Sequence, residues 1–118
     1  MRDYPKPIKR QLRALAAVAH ERDLRVHLQR LAQDFLDWQG GRLDTWELTD
    51  RIHKYYTGPS RKLYNQYDDR QADLNVAYAL HRGVLKEAEV PPEVLQAIGN
   101  AIAFYRSLEQ EDAADAKD

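Results

Sequence analysis

The side chains best suited to chemistry lie between residues 53 and 64. Arginine can form paired hydrogen bonds to a carboxylate or phosphate, and tyrosine combines a large contact area with a hydroxyl. In a binding role, Arg61 anchors an anionic group, His53 makes binding depend on pH, and Tyr64 supplies contact area. The residues predicted to bind a ligand are His53, Tyr56, Ser60, Arg61 and Tyr64.

Gly58-Pro59 is expected to reverse the chain within this cluster, because proline ends one helix and suits the first turn of the next. The free amides at such a helix start would add to the anion site. A structural role fits the same residues: the tyrosines pack in the core, and Arg61 pairs with Asp50 or Asp68. The sequence alone leaves both interpretations open.

The histidines do not form a pattern typical of a metal site. His20 and His27 are seven residues apart, whereas metal-binding pairs on a helix are usually four apart, and His53 and His81 are isolated in the sequence. No metal and no cofactor is predicted.

The sequence also contains no motif that favours an enzyme. Neither Ser60 nor Ser107 lies in a Gly-x-Ser-x-Gly turn, the five glycines form no phosphate-binding loop, and there is no cysteine. Catalysis would need a pocket that joins Asp50, His53 and Arg61. The prediction is a non-enzymatic protein.

Two pairs of carboxylates recur at a spacing of three residues on successive predicted helices: Asp34 with Asp37, and Glu47 with Asp50. If the two helices face each other, these pairs could bind a divalent ion. The simpler prediction is that the acids form ion pairs with neighbouring arginines. The candidates are Arg30, Arg42 and Arg51.

Apolar residues recur every three or four positions, which predicts helices. The stripe from Ile8 to Ala19 and the stripe from Leu24 to Trp38 are separated by a step of five, which turns the apolar face by about 140°. A bend or short break over His20 to Asp23 is favoured. The alternative is one long helix that changes partners midway.

The next helix boundaries have clear local signals. Gly40-Gly41 is expected to end the helix, and Asp44 with Glu47 fits a capping box that starts another. A short helix should follow from Pro59 to Tyr67. Trp38 and Trp46 flank the glycine turn, and exposure of both would favour a partner-binding or dimer surface there.

The C-terminal half predicts a central helix that ends at Gly83 and a last helix that starts at Val90-Pro91-Pro92. No segment alternates as a strand does. The fold class is therefore all-α, a single compact bundle of five or six helices with short loops. Residues 1–108 form one domain, and the acidic residues 109–118 form a disordered tail.

Composition fits a small cytoplasmic protein. A chain of 118 residues with 43% hydrophobic residues can build one core, and it contains neither a secretory signal pattern nor a stretch apolar enough to span a membrane. The net charge of −1 divides into +5 over residues 1–67 and −6 over residues 68–118. A basic patch near the N-terminus would give weak, salt-sensitive binding to nucleic acid. Its residues are Lys6, Lys9, Arg10 and Arg13.

The segment from Leu43 to Tyr67 resembles a family of small, uncharacterised bacterial all-helical proteins. The shared pattern is a glycine turn, an E-L-x-D-x-I-H helix and a G-P-[SA]-R-x-L-[YW] helix. The matching residues are Gly41, Glu47, Leu48, Asp50, Ile52, His53, Gly58, Pro59, Ser60, Arg61, Leu63 and Tyr64. The resemblance extends over most of the chain. It implies an intracellular helical protein and carries no information on activity, cofactor or partner.

We therefore expect a non-enzymatic binding or regulatory module that acts through the surface around residues 53–64. Its partner would be a protein, a second copy of the chain or a small anionic ligand, and not a membrane. The alternative function is weak nucleic-acid binding by the basic N-terminal helix, with nucleic acid the less favoured partner.

Overall fold

The structure, a computed structural model, describes residues 3–117 and the side chains of residues 3–115. Over that range it is 85% helical and contains no β-strand, which confirms the all-α prediction. A π-helical turn at Tyr56–Ser60 and short 3₁₀ turns at Asp69–Gln71 and Glu87–Glu89 connect the helices. The α-helices are α1 (Lys6–Gln39), α2 (Thr45–Tyr55), α3 (Arg61–Gln66), α4 (Ala72–Arg82), α5 (Pro92–Ala97) and α6 (Gly99–Lys117).

The chain divides into two compact units. Unit 1 contains the residues up to Ala19 and from Tyr67 onward, and unit 2 contains residues 20–66. The boundary falls inside α1, so that helix supplies residues to both units. The prediction of a single domain over residues 1–108 stays a prediction.

The break predicted between His20 and Asp23 is wrong, because α1 is one continuous helix. The step of five in its apolar pattern falls where the helix passes from unit 1 to unit 2. Each half therefore packs against different neighbours, and its apolar stripe faces a different direction. The alternative interpretation, one long helix that changes partners, is confirmed.

Unit 1 has a conventional core. Buried small residues of α1 and α4 belong to one cluster with larger apolar side chains from the segments that follow α4. The buried Asn75 amide donates to the backbone oxygen of Asp68 at 3.2 Å, which satisfies a polar group in this core. The apolar residues of the core are Leu12, Ala16, Ala19, Ala72, Val76, Ala77, Ala79, Leu85, Val90, Val94 and Ile98.

Unit 2 is a hairpin in which the C-terminal half of α1 runs antiparallel to the segment from α2 to α3. Trp38 Nε1 donates to Thr45 Oγ1 at 3.1 Å near the tip, and Arg51 pairs with Asp34 one turn further from it. Only three of its residues are buried, namely Leu43, Leu48 and Leu63. The hairpin therefore has a thin internal interface and little core of its own.

The tip of the hairpin forms as its local sequence predicts. Gly41 has a φ of +78°, and the amides of Gly41 and Arg42 donate to the carbonyls of Trp38 and Asp37. This is the hydrogen-bond pattern of a glycine-terminated helix. Asp44 then accepts from the Glu47 amide at 2.7 Å and caps the start of α2.

The C-terminal boundaries are also close to those predicted. α4 ends at Gly83, which has a φ of +78°, and α5 begins at Pro92. The predicted last helix is divided at Ile98, which separates α5 from α6. α6 continues to Lys117 with residues 109–115 exposed. The segment predicted as a disordered tail is thus solvated but helical, in keeping with its high content of Ala and Glu, which favour helix; Asp118 lies outside the described residues.

No helix in the described part of the chain combines the length and the apolar character needed to cross a bilayer.

Replacing Gly41 tests the cap at the hairpin tip. A Cβ would meet nothing within 4 Å there, so Gly41→Ala should destabilise the protein through backbone strain alone, by about 1 to 2 kcal/mol. The matched control is Gly40→Ala: its φ is not positive, and a Cβ would meet only the flexible Arg42 side chain. Urea unfolding followed by circular dichroism measures both. Equal losses for the two variants would contradict this account of the cap.

Asp68 makes stability depend on pH in acid. Hydrogen bonds from the Arg70 side chain, together with its backbone amide, lower the pKa of the Asp68 carboxyl to about 2. Because the folded pKa lies below the unfolded value of about 3.9, the stabilisation is complete above that value and is lost as pH falls towards 2. In Asp68→Asn, unfolding midpoints should fall less between about pH 4 and pH 2 than in the unmodified protein. An identical fall in both would show that this carboxylate does not stabilise the fold.

Candidate functional site

The chain does not reverse at Gly58-Pro59, and that prediction is wrong. Residues Tyr55, Tyr56 and Arg61 all have right-handed helical dihedral angles, so α2 continues through the π-helical turn into α3. Proline lacks an amide hydrogen and its ring crowds the carbonyl four residues earlier. A turn widened by one residue relieves both effects while the helix continues.

The continuous helix removes the helix start on which the anion site depended. The Arg61 amide donates to the Gly58 carbonyl, and Thr57 Oγ1 donates to the carbonyl of His53 at 2.9 Å. These groups are therefore engaged within the helix. An anion at this position would have to be held by side chains alone.

The five predicted binding residues follow one another along a continuous helix, and four of them are exposed. Tyr56 is 66% exposed and Tyr64 is 75% exposed, and the His53 and Arg61 residues are exposed too. Ser60 is half-buried. The structure thus presents an open surface, which suits contact with a macromolecule better than enclosure of a small ligand.

Arg61 does not form either ion pair suggested by the sequence. Asp50 pairs with Lys54 at 2.9 Å, and Asp68 pairs with Arg70 at 2.7 Å. Within residues 3–117, Arg61 has no ion pair of its own. Its guanidinium is available to a partner.

One side of the hairpin carries charged side chains around a shallow groove of about 230 Å³ between α1 and the α2–α3 segment. The carboxylates here pair with arginines: Arg51 with Asp34 across the hairpin, and Arg42 with Asp37 at its tip, at 3.3 Å. The predicted ion pairing is confirmed for these two acids. The groove is lined by His27, Arg30, Leu31, Asp34, Arg51, Lys54, Tyr55 and Pro59.

The opposite side of the hairpin is apolar and uncovered. Each large side chain on it comes one residue after a groove residue or after the buried Leu63. Successive side chains of an α-helix point about 100° apart. In two antiparallel helices, the side chains one position after the groove residues therefore point to the same side of the pair, away from the groove. We call this surface the hairpin face. It consists of Leu28, Phe35, Ile52, Tyr56 and Tyr64, all of them exposed.

The π-helical turn determines that α3 contributes to the hairpin face. Its five residues turn the chain less per residue than an α-helix does. This under-rotation brings Leu63 onto the interface with α1, where it is buried, and leaves the neighbouring Tyr64 outward. Two of the predicted binding residues, Tyr56 and Tyr64, thus lie on an exposed surface of a continuous helix, and their binding role stays a prediction.

Both indoles beside the glycine turn are exposed. Trp46 is 83% exposed, and Trp38 is exposed at its edge while its Nε1 donates to Thr45. Exposure of both indoles is the feature expected to favour a partner-binding or dimer surface near the tip.

In unit 1, the basic N-terminal residues share one side of α1. Positions 6, 9, 10 and 13 fall within an arc of about 100° on a helix. Lys6, Arg10 and Arg13 are exposed and Lys9 is half-buried. None of the four forms an ion pair with another residue of the described range.

Sequence reasoning missed a concavity of about 430 Å³ in unit 1, between α4 and α6. Two pairs of polar side chains face each other there: His81 lies 3.7 Å from Glu109, and Arg106 lies 3.6 Å from Glu87. Beside it, Tyr78, His81 and Tyr105 stack, and burial raises the pKa of the Tyr105 hydroxyl. The residues come from distant parts of the chain, so no local motif announces them.

A search of the described residues finds no group of three or more histidine, aspartate or glutamate side chains arranged to hold a metal ion.

Comparison with known proteins assigns no function. No family model matches the chain, and neither the curated proteins nor the solved structures contain a significant match. The resemblance to a bacterial helical family stays a prediction, and the function has to be argued from the surface itself.

Proposed function

We propose that this protein is a cytoplasmic, non-enzymatic binding module whose hairpin face docks a protein partner. The observation that carries the proposal is the uneven distribution of apolar side chains. Unit 2 buries only three residues, yet it exposes nine large apolar side chains. Exposed apolar surface on this scale is costly in water and is typical of interaction sites.

The composition of the hairpin face favours a protein partner. Aromatic residues are enriched in the centres of protein interfaces, because they bury much area with few rotatable bonds. Tyr56 and Tyr64 add hydroxyl groups that can form hydrogen bonds at the edge of such a contact. Arg61, which has no ion pair within the described residues, supplies a positive charge beside them.

The single amino-acid change Leu28→Glu tests this function, because it places a charge in the hairpin face. Leu36→Glu is the matched control: it lies on the same helix, and the two leucines are similarly exposed, 46% for Leu28 and 56% for Leu36. On α1, residue 36 points to the outer side of the hairpin, about 80° from residue 28. Tagged versions of each variant are expressed in the native host, and co-purifying proteins are quantified.

The expected result is that Leu28→Glu loses at least one co-purifying protein by tenfold or more, while Leu36→Glu retains it. The untagged chain itself is counted among the proteins measured. If the same proteins co-purify with both variants in equal amounts, the hairpin face is not the binding surface.

The basic side of α1 supports a second candidate function, weak nucleic-acid binding through Lys6, Lys9, Arg10 and Arg13. Four positive groups on one side of two helical turns can contact adjacent phosphates. A gel-shift titration with duplex DNA at about 50 and 200 mM salt should show affinity falling steeply as salt rises, and Lys9→Glu/Arg13→Glu should abolish binding. Binding that is equal in that double variant would exclude this surface.

A further inference from the structure

We infer that the partner of the hairpin face is the same face of a second copy of this chain, and that the two hairpins pair antiparallel. The tip of each hairpin then lies against the base of the other, and four helices enclose the apolar side chains. The inference rests on the proposed function, since it names the partner of that surface.

Charge is distributed unevenly along the hairpin. The tip, residues 34–51, carries five Asp or Glu and two Lys or Arg, which gives −3. The base, residues 20–33 and 52–66, carries two Asp or Glu and six Lys or Arg, which gives +4. A second copy is therefore the complementary surface when it is turned end for end. Parallel pairing would bring tip to tip and base to base, where like charges repel.

The hairpin face is also symmetric along its length. Across the hairpin, Trp38 contacts Thr45 and Asp34 contacts Arg51. The numbers of two residues that face each other across the hairpin therefore add up to about 84. Tyr56 therefore lies level with Leu28, at the centre of the face. At a rise of about 1.5 Å per residue, Phe35 lies about 10 Å towards the tip and Tyr64 about 10 Å or a little more towards the base.

A two-fold axis through the level of Tyr56 and Leu28 satisfies this arrangement. In this alignment α1 lies against α1 of the second copy, so the axis brings the two Tyr56 side chains together and the two Leu28 side chains together. It also places Tyr64 of one copy level with Phe35 of the other. Such self-complementarity is the requirement for a two-fold homodimer interface. The apolar positions thus support the same antiparallel alignment as the charges.

The size of the hairpin face is adequate for a dimer. Twenty residues of helix span about 30 Å, and two adjacent helices are about 20 Å wide. Each copy therefore presents about 600 Å², close to the roughly 800 Å² per partner of a standard protein interface. The net charge of the hairpin is only +1, so the pairing meets little overall repulsion.

The mass of the full chain in solution, measured by sedimentation equilibrium, is the first test. We expect a dimer of the 13.7 kDa chain at about 10 µM, and a dissociation constant that rises with salt as the opposed charges are screened. Leu28→Glu should raise that constant by about 100-fold or more, because the symmetry buries the new charge twice. Leu36→Glu should leave it within about threefold. A monomer at about 100 µM, or equal loss in both variants, would overturn the inference.

Cysteines introduced one at a time test the alignment directly, because the sequence contains no cysteine of its own. Disulfides form only when the two Cα atoms lie within about 7 Å. In the antiparallel dimer Tyr56→Cys joins two copies, whereas Tyr64→Cys does not, since its two copies are about 20 Å apart along the hairpin. Leu28→Cys should crosslink as well, because α1 lies against α1 of the second copy. Parallel pairing would instead place α1 of one copy against α2 and α3 of the other, so neither Tyr56→Cys nor Leu28→Cys alone would crosslink, and that result would overturn the proposed alignment.

The two proposals fail in different ways. Circular dichroism confirms that each variant is folded, and Tyr64→Ala replaces Leu28→Glu if the latter unfolds. If the chain is monomeric but another protein co-purifies through the hairpin face, the dimer is wrong and the binding function stands. If neither self-association nor the co-purification of another protein depends on the hairpin face, both the dimer and the binding function are wrong.

Discussion

A pair of helices shares only one interface, and this limit governs the structure of unit 2. Packing α1 against α2 and α3 uses one edge of each helix, where Leu48 and Leu63 are buried. No third element of unit 2 covers the remaining edges. Side chains such as Phe35 and Tyr56 therefore stay exposed even though their spacing places them beside that interface. Unit 1 avoids this limit, because residues of α4, α5 and α6 form one core with the buried stripe of α1.

The two sides of the hairpin that the helix–helix interface leaves uncovered carry different kinds of side chain. On the groove side, Asp34 and Arg51 are charged, and pairing across the helices satisfies them while they remain in contact with water. Exposed ion pairs of this kind contribute little to stability but keep the surface hydrated. On the hairpin face, apolar side chains have no such option and lower their free energy only by leaving water. The functional proposal follows from this difference between the two edges.

Pro59 affects which side chains of α3 reach the hairpin face. It interrupts the hydrogen bonding of an α-helix, and the π-helical turn accommodates it without ending the helix. The turn also resets the rotation of α3, so that Leu63 continues the interface and Tyr64 extends the hairpin face. A single backbone irregularity thus extends the exposed apolar surface by about one and a half turns. π-Helical turns are frequent at functional sites for this reason: they redirect side chains within an intact helix.

The sequence by itself determined what depends on a few neighbouring residues. Helix periodicity, the glycine cap at Gly41, the Asp44 cap and the proline at the start of α5 are all local hydrogen-bonding or steric effects, and they occur where the sequence predicts them. The pairing of Asp37 with Arg42 was also predictable from proximity along the chain, whereas Asp34 pairs with Arg51 on the next helix. Even the aromatic cluster at residues 53–64 was visible as an unusual grouping.

Only the tertiary structure decided which way those residues point. Whether α1 bends at His20 depends on what each half packs against, and whether Gly58-Pro59 ends a helix depends on whether a neighbouring helix holds the chain straight beyond it. Burial is a property of contacts between distant segments, so no local pattern reveals that Phe35 is exposed while Leu48 is not. The local sequence alone specifies the cap at Gly41. The hairpin face, in contrast, exists only because no other element of unit 2 packs against it.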